Sequence, residues 1–174
     1  MADRRTEYTR RVIRESVFKL HKKKALADIT VKEICEDADV NRATFYRNYI
    51  DIFDLYEKIE EDLTTEALKG EEPGKNRFRI FEIIYKHKSF YRDYFEMRLS
   101  STLLRTTVKV LMEQIKELLK KRDNAFDETH FEISFQYSYN GIVGATRDWL
   151  VKGCPMEAKE FADMVYGFVA KQYR

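Results

Sequence analysis

Apolar residues recur at intervals of three and four along almost the whole chain, the spacing that gathers side chains on one face of an α-helix. In residues 4–24 the positions Tyr8, Val12, Ile13, Ser16, Val17 and Leu20 fall on one stripe, with arginines and lysines elsewhere. Asp28-Ile29-Thr30 breaks that pattern. Thr30-Val31-Lys32-Glu33 reads as a capping box: the Thr hydroxyl accepts from the third helical N–H, and Glu33 reaches back. A short helix follows with Val31, Ile34, Cys35 and Ala38 turned inward, and Asp39-Val40-Asn41 ends it. Asn41 is then placed to cap a second short helix, Arg42 to Asn48. A further start near Asp51 opens an acidic amphipathic helix over 52–69, and Glu71-Glu72-Pro73-Gly74 is the clearest boundary signal in the chain.

The second half predicts helices over 75–87, about 89–97, 101–122, 128–152 and 157–173. The third of these carries Leu103, Leu104, Val108, Leu111, Met112, Ile115, Leu118 and Leu119 at helical spacing. Asn124 to Asp127 is a turn, and Gly153-Cys154-Pro155 stops the fourth helix. Residues 131–139 also alternate with period two, a strand signal without an evident partner strand. As a helix this stretch is apolar nearly all round, so it needs burial on two sides. Helix is the reading adopted. The predicted fold is all-α with about nine helices: three in an N-terminal head, a fourth linking, and five in a C-terminal body. The expected domains are a helix-turn-helix unit over residues 1–50, a linking helix over 51–72, and a dimerisation and effector-binding unit over 73–174.

Composition fits that picture. Hydrophobic residues make up 44% of the 174, charged residues 36%, and there are only six Gly and two Pro, a balance that favours a helical core over disorder. No apolar run approaches the roughly 18 residues that span a bilayer, so no membrane partner is expected. Residues 1–11 are charged and lack the apolar core of an export signal, and Cys35 and Cys154 show no disulfide-framework spacing; both observations predict a cytoplasmic protein. The net charge of +2 says little, but its distribution says more. Residues 1–50 carry twelve Lys/Arg against eight Asp/Glu, whereas residues 51–72 carry nine acidic groups against Lys58 and Lys69. A basic head before an acidic helix would meet a polyanion head first. His21, His87 and His130 are isolated, and no phosphate-binding loop, dinucleotide fingerprint or nucleophile elbow occurs. No enzyme activity, metal or cofactor is therefore expected.

Two short helices joined by a three-residue turn, with a long helix on either side, fit a helix-turn-helix. Its second helix must be slim and polar on one face to enter the major groove of double-stranded DNA. Arg42, Thr44, Tyr46, Arg47 and Asn48 supply donors, and Ala43 allows close approach. Phe45 and Tyr49 anchor the helix from behind. Thr30, Lys32 and Asn41 complete the candidate DNA-binding set, because a capped helix start is a natural phosphate seat. The stretch Ile29-Thr30-Val31-Lys32-Glu33-Ile34-Cys35, followed by Ala38-Asp39-Val40-Asn41-Arg42-Ala43-Thr44-Phe45-Tyr46-Arg47-Asn48-Tyr49, resembles the TetR/AcrR family of transcriptional regulators. Three positions depart from the family pattern. Asp39 replaces a turn glycine, Cys35 replaces a small alanine, and Ile52 stands where a lysine commonly touches phosphate.

The C-terminal half resembles the subgroup that includes dihydroxyacetone-kinase regulators, through Tyr139-x-Gly141-Ile142-Val143-Gly144 and Asp148-Trp149-Leu150-x-x-Gly153. This resemblance implies a homodimer through a four-helix interface built from residues 128–152 and 157–173. Ile133, Tyr137, Gly141, Gly144 and Asp148 are its candidate contacts. The family usually holds an effector pocket in this half. Candidate lining residues are Tyr85, Phe90, Tyr94, Phe95, Met112, Phe135, Tyr139 and Trp149, for each of which plain core packing is the competing reading. The expected function is a sequence-specific regulator, a repressor by preference, that binds a palindromic operator as a homodimer; its signal, if it has one, is a small-molecule effector or a protein partner. Two alternatives stand beside it: an activator controlled by a protein partner, and a helical binding protein that has lost DNA binding.

Overall fold

The computed structural model describes residues 4–68, 79–97 and 126–172, together with 99, 101, 104–105, 109, 112–113, 116–117 and 119–121. The regular structure among them is all helical. The chain forms α1 (Arg4–His21), a 3-10 turn (Leu26–Asp28), α2 (Val31–Asp37), α3 (Arg42–Asn48) and α4 (Ile52–Leu68). It continues with α5 (Arg79–Lys86), α6 (Lys88–Glu96), α7 (Glu128–Val151) and α8 (Ala158–Gln172). The described residues from 104 to 121 are helical as well. The boundary expected at Glu71-Glu72-Pro73-Gly74, and Leu103, Val108, Leu111, Ile115 and Leu118 of the 101–122 stripe, lie outside the described residues.

α1 to α3 pack as a head, because each turns one apolar face to a shared centre. Ile13 and Val17 of α1, Leu26, Ile34 of α2, Phe45 of α3, and Leu55 and Ile59 of α4 are all buried there. Each such side chain contributes roughly 1.5–3 kcal/mol by leaving water. α1 ends at His21 rather than at 24. The chain turns at once, with the Lys23 N–H donating to Leu20 O at 2.9 Å, since the run Lys22-Lys23-Lys24 offers no apolar side chain to bury. The capping box on α2 is formed on both sides: the Glu33 N–H donates to the Thr30 hydroxyl, and the Thr30 N–H donates to the Glu33 carboxylate at 3.0 Å. Asp39 takes φ 52°, a left-handed conformation that an aspartate tolerates better than most residues, so the turn closes without the glycine.

In the body, α4 packs on α5, α5 on α8, α6 on α7, and α7 on α8. The period-two stretch 131–139 lies inside α7. Phe131 and Ile142 are buried and Phe135 and Tyr139 half-buried on one side, while Ile133 and Tyr137 are 67% and 74% exposed on the other. The helix is thus covered on one side only within a single chain. Its C-terminus closes with two left-handed residues, Gly153 (φ 77°) and Cys154 (φ 59°). The Cys154 N–H donates to Trp149 O at 2.8 Å there, a glycine-type helix stop. Burial pushes the Cys154 thiol up, which makes it a poor nucleophile.

Head and body meet at the 3-10 turn. Leu26 is fully buried, and its backbone is held at both its N–H and its C=O. Its N–H donates to Asp93 Oδ2 of α6 at 3.1 Å, and its carbonyl accepts from the Tyr56 hydroxyl of α4 at 2.9 Å. Asp93 also lies 3.7 Å from His21 Nδ1 at the end of α1 and 3.2 Å from Arg92. One carboxylate therefore ties α6 to the turn that leads into α2, beside the end of α1.

Candidate nucleic-acid interface and regulatory body

α3 is set by its two anchors. Phe45 is fully buried and Tyr49 is 5% exposed, so the opposite face, carrying Arg42, Ala43, Tyr46 and Arg47, is turned to solvent. Burial pushes the Tyr49 phenol up to about 12, which keeps it a neutral anchor. The Asn41 side chain accepts from the Thr44 N–H at 2.7 Å and fixes the start of the helix. Polar side chains on the outer face hold one another in place. Arg47 donates to the Thr44 hydroxyl at 2.9 Å, the Asn48 amide donates to Thr44 O at 2.9 Å, and the Arg42 guanidinium lies 6.0 Å from the Tyr46 ring centroid. Neither Arg42 nor Arg47 pairs with a carboxylate among the described residues. Lys32, Asn41 and Arg42 line one open cleft of about 570 Å³ at the α2–α3 turn.

The start of α2 is more occupied than the sequence suggests. The Thr30 N–H and hydroxyl both engage Glu33, whose carboxylate also accepts from Lys24 at 2.6 Å. The Lys24 ammonium and the Thr30 donors pull the Glu33 carboxyl down to about 2. The Val31 and Lys32 N–H groups are what this helix start leaves to an incoming anion. Ile52, at the head of α4, is half-buried and packs against the core. Ile50 points outward instead, 83% exposed, with Phe53 at 50%. The outward apolar position near α3 is therefore 50 rather than 52, a difference that the spacing of a single helix start does not reveal.

On the body, Ile133, Tyr137, Gly141, Gly144 and Asp148 all lie on the exposed side of α7. Phe168 of α8 is 62% exposed beside them, and a groove of about 340 Å³ between α7 and α8 is lined by Tyr137, Gly141, Val165 and Phe168. A Cβ added at Gly141 or Gly144 would meet nothing within 4 Å. Packing within the chain therefore does not demand either glycine, although each costs a helix interior about 1 kcal/mol relative to alanine.

The family model of the TetR-type transcriptional regulator C-terminal region matches residues 72–171. The chain belongs to the TetR family of transcriptional regulators. Solved structures share its fold. One is the dihydroxyacetone kinase operon activator DhaS, at TM-score 0.67 and 14% identity, covering 95% of this chain and 96% of that one. A comparison with curated protein sequences finds no match. Among the described residues, no helix is long and apolar enough to cross a membrane, and no cluster of His, Cys, Asp and Glu could hold a metal ion.

In this TetR-family body the eight aromatic and methionine positions expected at an effector pocket divide. Phe90, Tyr94 and Phe95 are buried in the core with Tyr91. Trp149 stacks on Phe161 at 4.4 Å and on Tyr85 at 5.8 Å, and its indole N–H donates to Met156 O at 3.0 Å. These five pack the interior or tie α5, α7 and α8 together. Met112, Phe135 and Tyr139 instead line a cavity of about 540 Å³ between the 104–121 segment and α7. Sequence reasoning missed two groups. Arg105 and Lys109 line the same cavity, and their i,i+4 spacing was the available signal. The joint of His21, Tyr56 and Asp93 had no local signal, because Leu26 and Asp93 are 67 residues apart.

Proposed function

We propose that the protein is a homodimeric TetR-type regulator that binds a palindromic operator by inserting α3 into the major groove. The observation that carries this reading is the two-sidedness of α3: Phe45 and Tyr49 are locked into the core, while Arg42, Ala43, Tyr46 and Arg47 stand exposed on the other face. The donor types fit base edges and phosphates. Thr44 is assigned with Arg42 to base edges, while Thr30, Lys32, Asn41 and Asn48 border that face and are assigned to backbone contacts and to positioning. The exposed apolar side of α7 and α8 supports dimerisation, with Gly141 and Gly144 allowing a second copy to approach closely. In this reading residues 1–50 carry DNA recognition, 51–72 link, and 73–174 dimerise and receive the signal. A signal reaching α6 would act on the head through Asp93 and Leu26.

The family resemblance favours a repressor as the first reading. The DhaS likeness favours the second reading, an activator, because that neighbour is described as an operon activator. The test is a gel shift of the full chain against fragmented genomic DNA, followed by reporter transcription from the fragment retained. The proposal expects one or a few palindromic fragments bound by two chains each. Reporter output falling with added protein supports the repressor, and rising output supports the activator. Uniform binding to all fragments, or none, overturns operator recognition.

A further inference from the structure

The cavity between the 104–121 segment and α7 has two chemically different ends. Along its floor run Phe131, Phe135 and Tyr139, spaced four residues apart on one face of α7 and so spanning about 12 Å. Met112 lies against the same strip. At the α7 N-terminal end, Lys116 pairs with Glu128 and Lys120 lies 3.9 Å from the same carboxylate. Glu113 and Glu132 also face Lys116, and both raise its pKa. That end is charge-compensated. The segment runs back along α7, so Arg105 and Lys109 fall toward the Tyr139 end. Neither side chain makes a hydrogen bond or ion pair with any described residue. They are one helical turn apart and both exposed. Two cations without an ion-pair partner among the described residues thus stand at one mouth of an aromatic trough.

We propose that this cavity binds an amphiphilic organic carboxylate, its head between Arg105 and Lys109 and its apolar body along Phe131, Phe135 and Tyr139. The volume of about 540 Å³ falls in the range of small-molecule sites. A guanidinium beside an ammonium suits a single carboxylate head. Glu113, one helical turn beyond Lys109, and Glu132 at the far end disfavour a ligand charged along its length, which selects for an uncharged tail. The inference deepens the effector-site reading above and rests on it for its regulatory meaning, but binding itself does not require DNA.

The test is isothermal titration calorimetry on the full chain without DNA, with octanoate, octan-1-ol and inorganic phosphate as probes. The proposal expects octanoate to bind at one site per chain at least tenfold tighter than octan-1-ol, and phosphate to show no binding at the same concentrations. Arg105→Gln combined with Lys109→Gln should weaken octanoate at least tenfold and leave octan-1-ol unchanged. Both side chains are exposed and have no side-chain partner among the described residues, so that variant keeps its fold, checked by circular dichroism. Lys116→Gln, at the compensated end, should change octanoate affinity less than twofold. Equal affinity for octanoate and octan-1-ol, unchanged octanoate binding in the double variant, or an equal loss in Lys116→Gln each overturns the proposal. Failure here leaves operator binding untouched, whereas a protein that binds octanoate but no DNA would sink the regulator reading alone.

Discussion

Asp93→Ala removes the acceptor of a buried peptide N–H at the joint between head and body. Leu26 is fully buried and Asp93 is 5% exposed, so no water replaces the lost carboxylate without rearrangement. An orphaned buried donor costs about 1–3 kcal/mol. The Arg92 pair adds less than about 1 kcal/mol, because the Arg92 side chain is 47% exposed and screened. The expected destabilisation is about 1–4 kcal/mol, within the stability of an ordinary domain, so the variant should still fold. Tyr56→Phe removes one of the two donors to the Leu26 carbonyl, which keeps the Ile29 N–H, and should cost about 1 kcal/mol. Both act on Leu26, so the double variant should be non-additive by at least about 0.5 kcal/mol. The assay is urea unfolding followed by far-UV circular dichroism at one fixed protein concentration, with Arg92→Ala as the surface control. A cost for Asp93→Ala no larger than that for Arg92→Ala would refute the reasoning, since the exposed pair and not the buried peptide would then be the contact that matters.

Thr30→Ala should destabilise by about 1 kcal/mol through loss of the α2 cap, read in the same unfolding assay. The Glu33 carboxyl is depressed from 4.5 to about 2, so its stabilisation is complete above pH 4.5 and is lost as pH falls toward 2. Glu33→Gln should flatten the acid limb of stability in that window, and an unchanged acid limb would count against the pairing with Lys24. Gly144→Leu should raise the helix stability of a single chain by several tenths of a kcal/mol while overpacking the dimer by about 1–3 kcal/mol. Light scattering should then show a shift toward monomer, and a persistent dimer would remove Gly144 from the interface. Ile52→Lys can keep its stem on the core and extend its ammonium outward. It should steepen the log–log salt dependence of DNA affinity by about 0.9 per chain, or roughly 1.8 per dimer, and an unchanged slope means that residue 52 does not reach the phosphates.

Legibility in the sequence followed the range of the contacts. The capping box of Thr30 and Glu33 and the Asn41 cap join residues three apart, so spacing alone was enough to read them. The left-handed turn at Asp39 followed from what its side chain tolerates. The end of α1 was read too late, because a lysine run continues helical propensity after the apolar stripe has stopped. Residues 131–139 carried both periods, and the missing partner strand decided between them. The aromatic set could not be divided in advance, because Phe90 and Phe135 look alike in sequence. One faces the packed interior and the other the 104–121 segment, a matter of tertiary placement. The Asp93–Leu26 joint was invisible for the same reason.

The central claim is that α3 reads sequence. It is tested most directly by fluorescence anisotropy on the retained palindrome and on a scrambled duplex, for wild type, Arg42→Ala and Thr44→Ala, at one salt concentration. The account predicts that each variant stays folded and loses about 1–3 kcal/mol of discrimination between the two duplexes, with scrambled-duplex affinity much less affected. Wild-type discrimination in both variants would contradict it, and recognition would then have to lie outside α3.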